Sequence, residues 1–283
     1  MSAVRSLAAL AGSVDDGDTV AFGGKTIHRA PMAFVRELVR QGTGDLHVMG
    51  LANSMDVDLL CATGQAASAY YGYVGFEAFG LAPNFRRACE TGTLDPREGT
   101  CDTVATMLRG AKQGVPFLPI AGLDGSDLLD VSDEWFTETT DPFTGESTIA
   151  VRTVTPDVGV IHAVEADAEG NVRVGGADLT ERLVARAADR VLVTAERVVD
   201  TETFRERPGE TDVPGFLVDG VAEVPHGAHP LGCAEAYDYD ADHLEEYLGL
   251  SKADDFETYR ERSLTGTEAD YRERAVEGRE VTP

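Results

Sequence analysis

The residues best placed to do chemistry lie in one short stretch, Asp16-Gly17-Asp18-Thr19-Val20-Ala21-Phe22-Gly23-Gly24-Lys25, followed by His28, Arg29 and Pro31. An apolar run empties into two glycines, and a proline then opens a helical pattern. Glycines let backbone N–H groups approach a ligand closely, and a helix N-terminus adds positive dipole. Lys25, His28 and Arg29 add donors and charge, so the stretch could cradle a carboxylate or a thioester oxygen. It is neither a phosphate-binding Walker loop nor a GxGxxG fingerprint. The same spacing also fits an ordinary strand-to-helix turn carrying surface cations.

Other candidates follow the next two strand-like runs. Asn53 and Ser54 come after the second and could donate to a substrate carboxylate. Glu77 comes after the third, where the carboxyl ends of parallel strands meet ligands. Arg86 and Arg87 could pair with an acidic substrate or with neighbouring acidic groups. His162 closes an apolar run and reads as a hydrogen-bonded core or rim histidine, while His229, before Pro230, could shape a pocket or an interface. No second ligand stands at metal spacing from either, and Cys61, Cys89, Cys101 and Cys233 form no C-x-x-C, so no metal is expected. Free thiols in a reducing cytoplasm are the expected state of the cysteines.

The elements that must position these residues alternate between strand-like and helix-like. Strands are expected at 19–22, 45–51 and 68–74, with helices opening at Pro31 and running over 56–63. Amphipathic patterns at 84–90 and 101–113 predict two further helices. Val115-Pro116-Phe117-Leu118-Pro119-Ile120 is stiff and apolar, and its prolines bar it from the middle of an antiparallel sheet. Residues 122–145 are rich in Asp, Ser, Thr and Gly and are expected to form a surface excursion, a kind of long loop that is often functional. Strands at 158–162, 172–174, 190–195 and 221–224, with a helix over 179–188, repeat the theme. After Tyr237 the chain is polar and acidic, and two surface helices are expected, the second ending near Glu277. The fold class is therefore α/β, with an open, mostly parallel sheet covered by helices, in one domain over 1–283 with an acidic helical extension from about 240.

Composition narrows the partners. The chain of 283 residues carries 50 acidic against 24 basic residues, a formal charge of −26. Nucleic acid and anionic membrane both need basic surface and are disfavoured. No eighteen-residue apolar window exists, so no membrane span is expected, and the start reads as a first helix and not as a signal peptide. Lysine occurs only at 25, 112 and 252; the other 21 basic residues are arginine. An acidic surface poor in lysine suits a halophilic cytoplasm, where screening over about 3 Å at 1 M salt removes most self-repulsion.

The opening stretch resembles the α-subunit signature of class I coenzyme A transferases, with Gly23, Gly24 and Pro31 matching; Lys25 stands where that family usually has Phe, and Arg29 where many members have Gly. Val115-Pro116-Phe117-Leu118-Pro119, Val158–Ala163 with Glu169–Val172, Asp212–Gly215, and Pro225–Pro230 closing on Tyr237-Asp238-Tyr239-Asp240 are similar, in order, to glutaconate CoA-transferase α-subunits. The resemblance implies the NagB/RpiA-like fold of that family. It also implies acyl-CoA:carboxylate CoA transfer through a glutamate on a β-subunit, with a coenzyme A thioester as substrate and no covalently bound cofactor. This chain has no Ser-Glu-Asn-Gly-like string; the nearest is Gly75-Phe76-Glu77-Ala78-Phe79-Gly80.

Pro31–Arg36, Tyr70–Gly72 and Leu264–Tyr271 are also similar to the α-subunit of steroid ring-cleaving CoA hydrolases, where Glu98 aligns with an acidic stretch. That likeness implies an alternative hydratase or hydrolase role, with Glu77 or Glu98 as a base if burial raised its pKa. A non-catalytic ligand-binding or structural subunit of the same fold is a further alternative.

Overall fold

The structure is a computed structural model that describes residues 2–123, 125–132 and 134–278. Eleven strands occur among the described residues: β1 Thr19–Phe22, β2 Leu46–Asn53, β3 Ala66–Val74, β4 Asp95–Glu98, β5 Phe117–Ile120, β6 Phe136–Thr140, β7 Ser147–Arg152, β8 Val158–Asp167, β9 Val172–Arg173, β10 Arg190–Val199 and β11 Gly220–Glu223. The main sheet has the order β11-β10-β8-β1-β2-β3-β4, every neighbouring pair parallel, and β9 adds antiparallel to β8. The order runs outward from β1 in both directions. The carboxyl end of β1 is therefore the place where successive connections diverge and leave a crevice.

Strand β1 shows why this sheet is buried on both faces. Val20 and Phe22 pack into one apolar cluster with Phe34, Leu38, Leu46, Val48, Leu59 and Leu60; Ala21 packs into the other with Met49, Val104, Leu108, Ile161 and Val184. Alternate side chains leave a strand on opposite faces, so an unbroken apolar run such as Val-Ala-Phe supplies both layers. Helices Met32–Gln41, Met55–Ala62 and Pro83–Thr91 cover the first face, and Cys101–Gln113 and Glu181–Ala187 the second.

Two expectations need correction. The stretch 122–145 is not an irregular excursion throughout: it holds a helical turn at Leu128–Val131 and strand β6, which pairs with β7 in a three-stranded antiparallel sheet of order β5-β7-β6. Trp135 and Phe136 are buried there with Ile149 and Val151, which pins the Thr-rich strand despite its polar composition. Strand β5, with Pro119, lies at the edge of that sheet, as its prolines require.

The C-terminal segment is also more than a surface pair of helices. It forms Ala241–Lys252, Phe256–Ser263 and Glu268–Arg272, followed by a π-turn at Glu273–Glu277; residues 279–283 of the expected extension lie outside the described residues. Leu244, Tyr247, Leu248, Tyr259 and Leu264 join the first apolar cluster. Tyr247 donates to the buried Asp58 carboxylate at 2.6 Å, and the fully buried Arg36 guanidinium lies 3.7 Å from the Tyr271 ring centre while pairing with Glu268. Aromatic residues spaced through an acidic sequence thus form its buried face.

Candidate functional site

The turn after β1 is closed by its own backbone. Lys25 N–H donates to His28 O at 2.8 Å and His28 N–H returns the bond to Lys25 O at 2.9 Å. Thr26 N–H reaches Ala52 O at the end of β2, and Arg29 N–H and Gly232 N–H tie the other side to Gly232 O and Ile27 O. Gly24 has φ +88, and a Cβ there would come within 2.7 Å of Arg29 and Ala30 backbone. At Gly23 a Cβ would meet Ile161 at 2.9 Å and Glu181 at 3.2 Å. Both glycines are required by packing within the chain.

The three cations of this turn do not share a direction. Lys25 and His28 are exposed. Arg29, expected beside them as a ligand donor, is turned inward and is 2% exposed. Its Nε pairs with Glu181 at 2.8 Å, and its Nη atoms donate to Gly175 O and Ala177 O. Asn53 and Ser54 are buried as well. Asn53 Nδ2 donates to Asp56 Oδ2 at 2.6 Å, Ser54 N–H to Asp56 Oδ1 at 2.7 Å, and Ser54 Oγ to Thr26 O at 2.5 Å. Burial pushes the Asp56 carboxyl up, against the lowering effect of these hydrogen bonds. These groups form the floor under the Lys25–His28 turn.

Glu77 and Glu98 stand at the carboxyl ends of the adjacent strands β3 and β4, and both are exposed. Glu77 opens a single 3-10 turn, Glu77–Phe79, with φ +52. Phe79 meets Tyr239 edge-to-face at 5.7 Å between ring centres, and Tyr239 meets His28 the same way at 6.4 Å. The loop carrying Glu77 is thus joined through two aromatic rings to the Lys25–His28 turn. Glu98 lies in register with Tyr71, whose hydroxyl is pushed above its ordinary range by burial and then by the Glu98 charge.

The fold also collects groups that sequence spacing did not show together. His162, Glu196 and Cys233, and separately His229, Asp240 and His243, each offer ligand-type atoms within 4.8 Å of one another. Protein partners engage both ring nitrogens of the first histidine in each group: His162 bonds Thr194 and Glu196 at 2.8 Å, and His229 bonds Tyr271 at 2.8 Å and Asp240 at 3.2 Å. Burial alone would raise Glu196, yet His162, the His226 N–H and the Tyr237 hydroxyl hold it below the ordinary carboxylate range. Burial holds His229 below its ordinary value.

Sequence reasoning missed Asp56, Glu181, Phe79 and Tyr239 as parts of this region. Asp56 and Glu181 stand in the first turns of their helices, where the helix dipole favours a carboxylate, and that position does not say what else the carboxylate will bind. Tyr239 belonged to a recognisable string, but nothing local joins it to His28, some 210 residues away.

The comparisons with known proteins agree with this geometry. The model of the coenzyme A transferase family matches residues 4–224. The α-subunit of glutaconate CoA-transferase from Acidaminococcus fermentans is 35% identical over 277 residues, covering 92% of this chain and 87% of that one. The crystal structure of that transferase superposes with a TM-score of 0.94 over 98% of this chain and 94% of its own, at 32% identity. The IpdA subunit of the cholesterol ring-cleaving hydrolase of Rhodococcus jostii is 31% identical, covering 92% of this chain and 90% of that one. A chain of the decarboxylase AibA/AibB is 35% identical with a TM-score of 0.86, over 94% of this chain and all of that one. With the parallel sheet, the divergence at β1 and the collinear match in hand, the chain belongs to the coenzyme A transferase family.

Proposed function

We propose that this chain is the α-type subunit of an acyl-CoA:carboxylate CoA-transferase that works with a homologous β-type subunit. The match to the glutaconate CoA-transferase α-subunit over nearly the whole length of both chains carries this reading. A glutamate of the partner attacks the thioester carbonyl, giving a mixed anhydride and free CoA thiolate. The thiolate then attacks the glutamyl carbonyl, releasing the first acid and leaving a glutamyl-CoA thioester. The acceptor carboxylate repeats the two steps in reverse and leaves as the new acyl-CoA. Coenzyme A enters as substrate, and no resident cofactor takes part.

This chain contributes the wall opposite the nucleophile. The substrate-facing surface is the turn Gly23–Arg29, with Lys25 and His28 presented outward, Arg29 holding the turn from below, and Asn53 and Ser54 supporting it through Asp56. Lys25 supplies a fixed cation to a substrate carboxylate and His28 a hydrogen-bond donor. Glu77 and Glu98 flank the same edge as secondary acid–base groups, each exposed. The medium is a cytoplasm of high salt, in keeping with the charge of −26. Among the described residues no helix is long and apolar enough to cross a membrane.

The test is co-expression with a β-type partner from the same source. A stable complex with transferase activity, and no such activity in this chain alone, is expected; full activity of the isolated chain would refute the assignment.

A further inference from the structure

The buried ion pair between Arg29 and Glu181 presents no group to substrate in the chemistry just described, yet it is among the most enclosed charge pairs of the described residues. The side chains are 2% and 0% exposed, and the Nε–Oε1 separation is 2.8 Å. Every polar direction of both groups leads to a loop. Arg29 reaches Gly175 O through Nη1 and Ala177 O through Nη2. Glu181 Oε2 receives the Leu179 and Thr180 N–H groups at 2.9 and 3.0 Å, and Thr180 Oγ1 donates to Gly24 O at 3.0 Å. Gly23 packs so closely on Glu181 that a Cβ there would lie 3.2 Å from its Cγ. The pair therefore binds the turn 24–29 to the segment 175–181 from two sides.

Energetics argue that this arrangement serves geometry more than stability. Taking two charges out of water costs several kcal/mol per ion, and a buried pair often does no better than an apolar replacement. Arg29 also adopts φ +57, a left-handed conformation that a non-glycine residue holds only when its surroundings over-determine it. Four residues earlier Lys25 stands exposed on the same turn. Fixing Arg29 from below fixes the backbone from which Lys25 and His28 project.

We infer that Arg29 and Glu181 are a positioning pair that sets Lys25 and His28 for the substrate carboxylate. The inference rests on the reading of that turn as substrate-facing. Arg29→Lys keeps the charge, but a single ammonium cannot reach three acceptors fixed for a planar guanidinium. Glu181→Gln keeps the shape and removes the ion pair.

The experiment uses the assembled two-subunit enzyme and steady-state kinetics in the acceptor carboxylate. Arg29→Lys, Glu181→Gln and Lys25→Ala are each expected to raise KM about tenfold with kcat within about twofold, the signature of lost ground-state binding. The double variant Arg29→Lys with Lys25→Ala is expected to do less than the product of the two single changes, because part of the Arg29 effect acts through Lys25. Multiplying effects, or wild-type KM in Arg29→Lys and Glu181→Gln while Lys25→Ala raises it, would overturn the pair's role and leave the reading of the turn intact. A silent Lys25→Ala would overturn both.

Hydrogen exchange in Glu181→Gln keeps the test independent of the harsher variant. Protection of a peptide spanning 24–29 is expected to fall about tenfold with β1 and β2 unchanged, and unchanged protection of that peptide contradicts the inference.

Discussion

Lys25 and Arg29 are four residues apart, carry the same charge and have opposite surroundings, one in solvent and one enclosed with Glu181. That contrast was not legible in the sequence, where both read as donors beside a glycine loop. Direction depends on a carboxylate 152 residues away. The glycines were legible as a tight turn, and the turn leaves no room for a Cβ beside Ile161 and Glu181 at Gly23 or beside Arg29 and Ala30 at Gly24. The glutamates can be separated from a nucleophile by magnitude. Glu77 and Glu98 are exposed at strand ends, so Glu77→Gln and Glu98→Gln are expected to lower kcat of the complex by less than about tenfold. Loss of a covalent nucleophile costs orders of magnitude more, and a drop of that size in either variant would identify it as one. His229 carries a pH dependence with a definite sign. Burial holds its pKa below 6.5, so the unfolded chain binds more protons and folding stability falls as pH drops through and below that value. Compared with His229→Asn, the wild-type protein is expected to lose stability by up to about 1.4 kcal/mol per pH unit on acidification below pH 6.5, read from urea unfolding at several pH values.

At the scale of elements, the parallel sheet was legible because a strand buried on both faces leaves an unbroken apolar run, as in Thr19–Phe22 and Val158–Ala163. The helix Cys101–Gln113 was legible from its stripe and from Gly114, which closes it in the left-handed conformation. Strand β6 was not, because Phe-Thr-Glu-Thr-Thr depends on pairing with β7 and on the burial of Trp135 and Phe136 at its start. The C-terminal helices were legible as helices but not as core, since their charge hides Tyr247, Tyr259 and Tyr271. The joint between these helices and the helices Met55–Ala62 and Pro83–Thr91 is the buried Asp58, which accepts from Tyr247, Asn84 and the Phe85 N–H. Tyr247→Phe removes one of these bonds while keeping the ring, and a loss of about 1–1.5 kcal/mol in urea unfolding is expected. Unchanged stability would mean that the remaining donors suffice to hold the joint.

For the whole molecule, charge and partnership dominate. At −26, self-repulsion across the surface opposes the folded state at low ionic strength. Melting temperature is expected to rise between about 0.1 and 2 M KCl as the screening length shrinks from about 10 Å toward 3 Å or less. A flat or falling trend would remove the high-salt reading without touching the fold. The proposed function, by contrast, divides the work between two chains: the turn proposed to face substrate presents Lys25 and His28, and the sequence holds no Ser-Glu-Asn-Gly-like string. The most direct test of that division of labour is to incubate the two-subunit complex with acyl-CoA alone and map the covalently bound CoA by peptide mass. The adduct is expected on a glutamate of the β-type partner and nowhere on this chain. An adduct on Glu77, Glu98 or any other carboxylate of this chain would contradict the assignment.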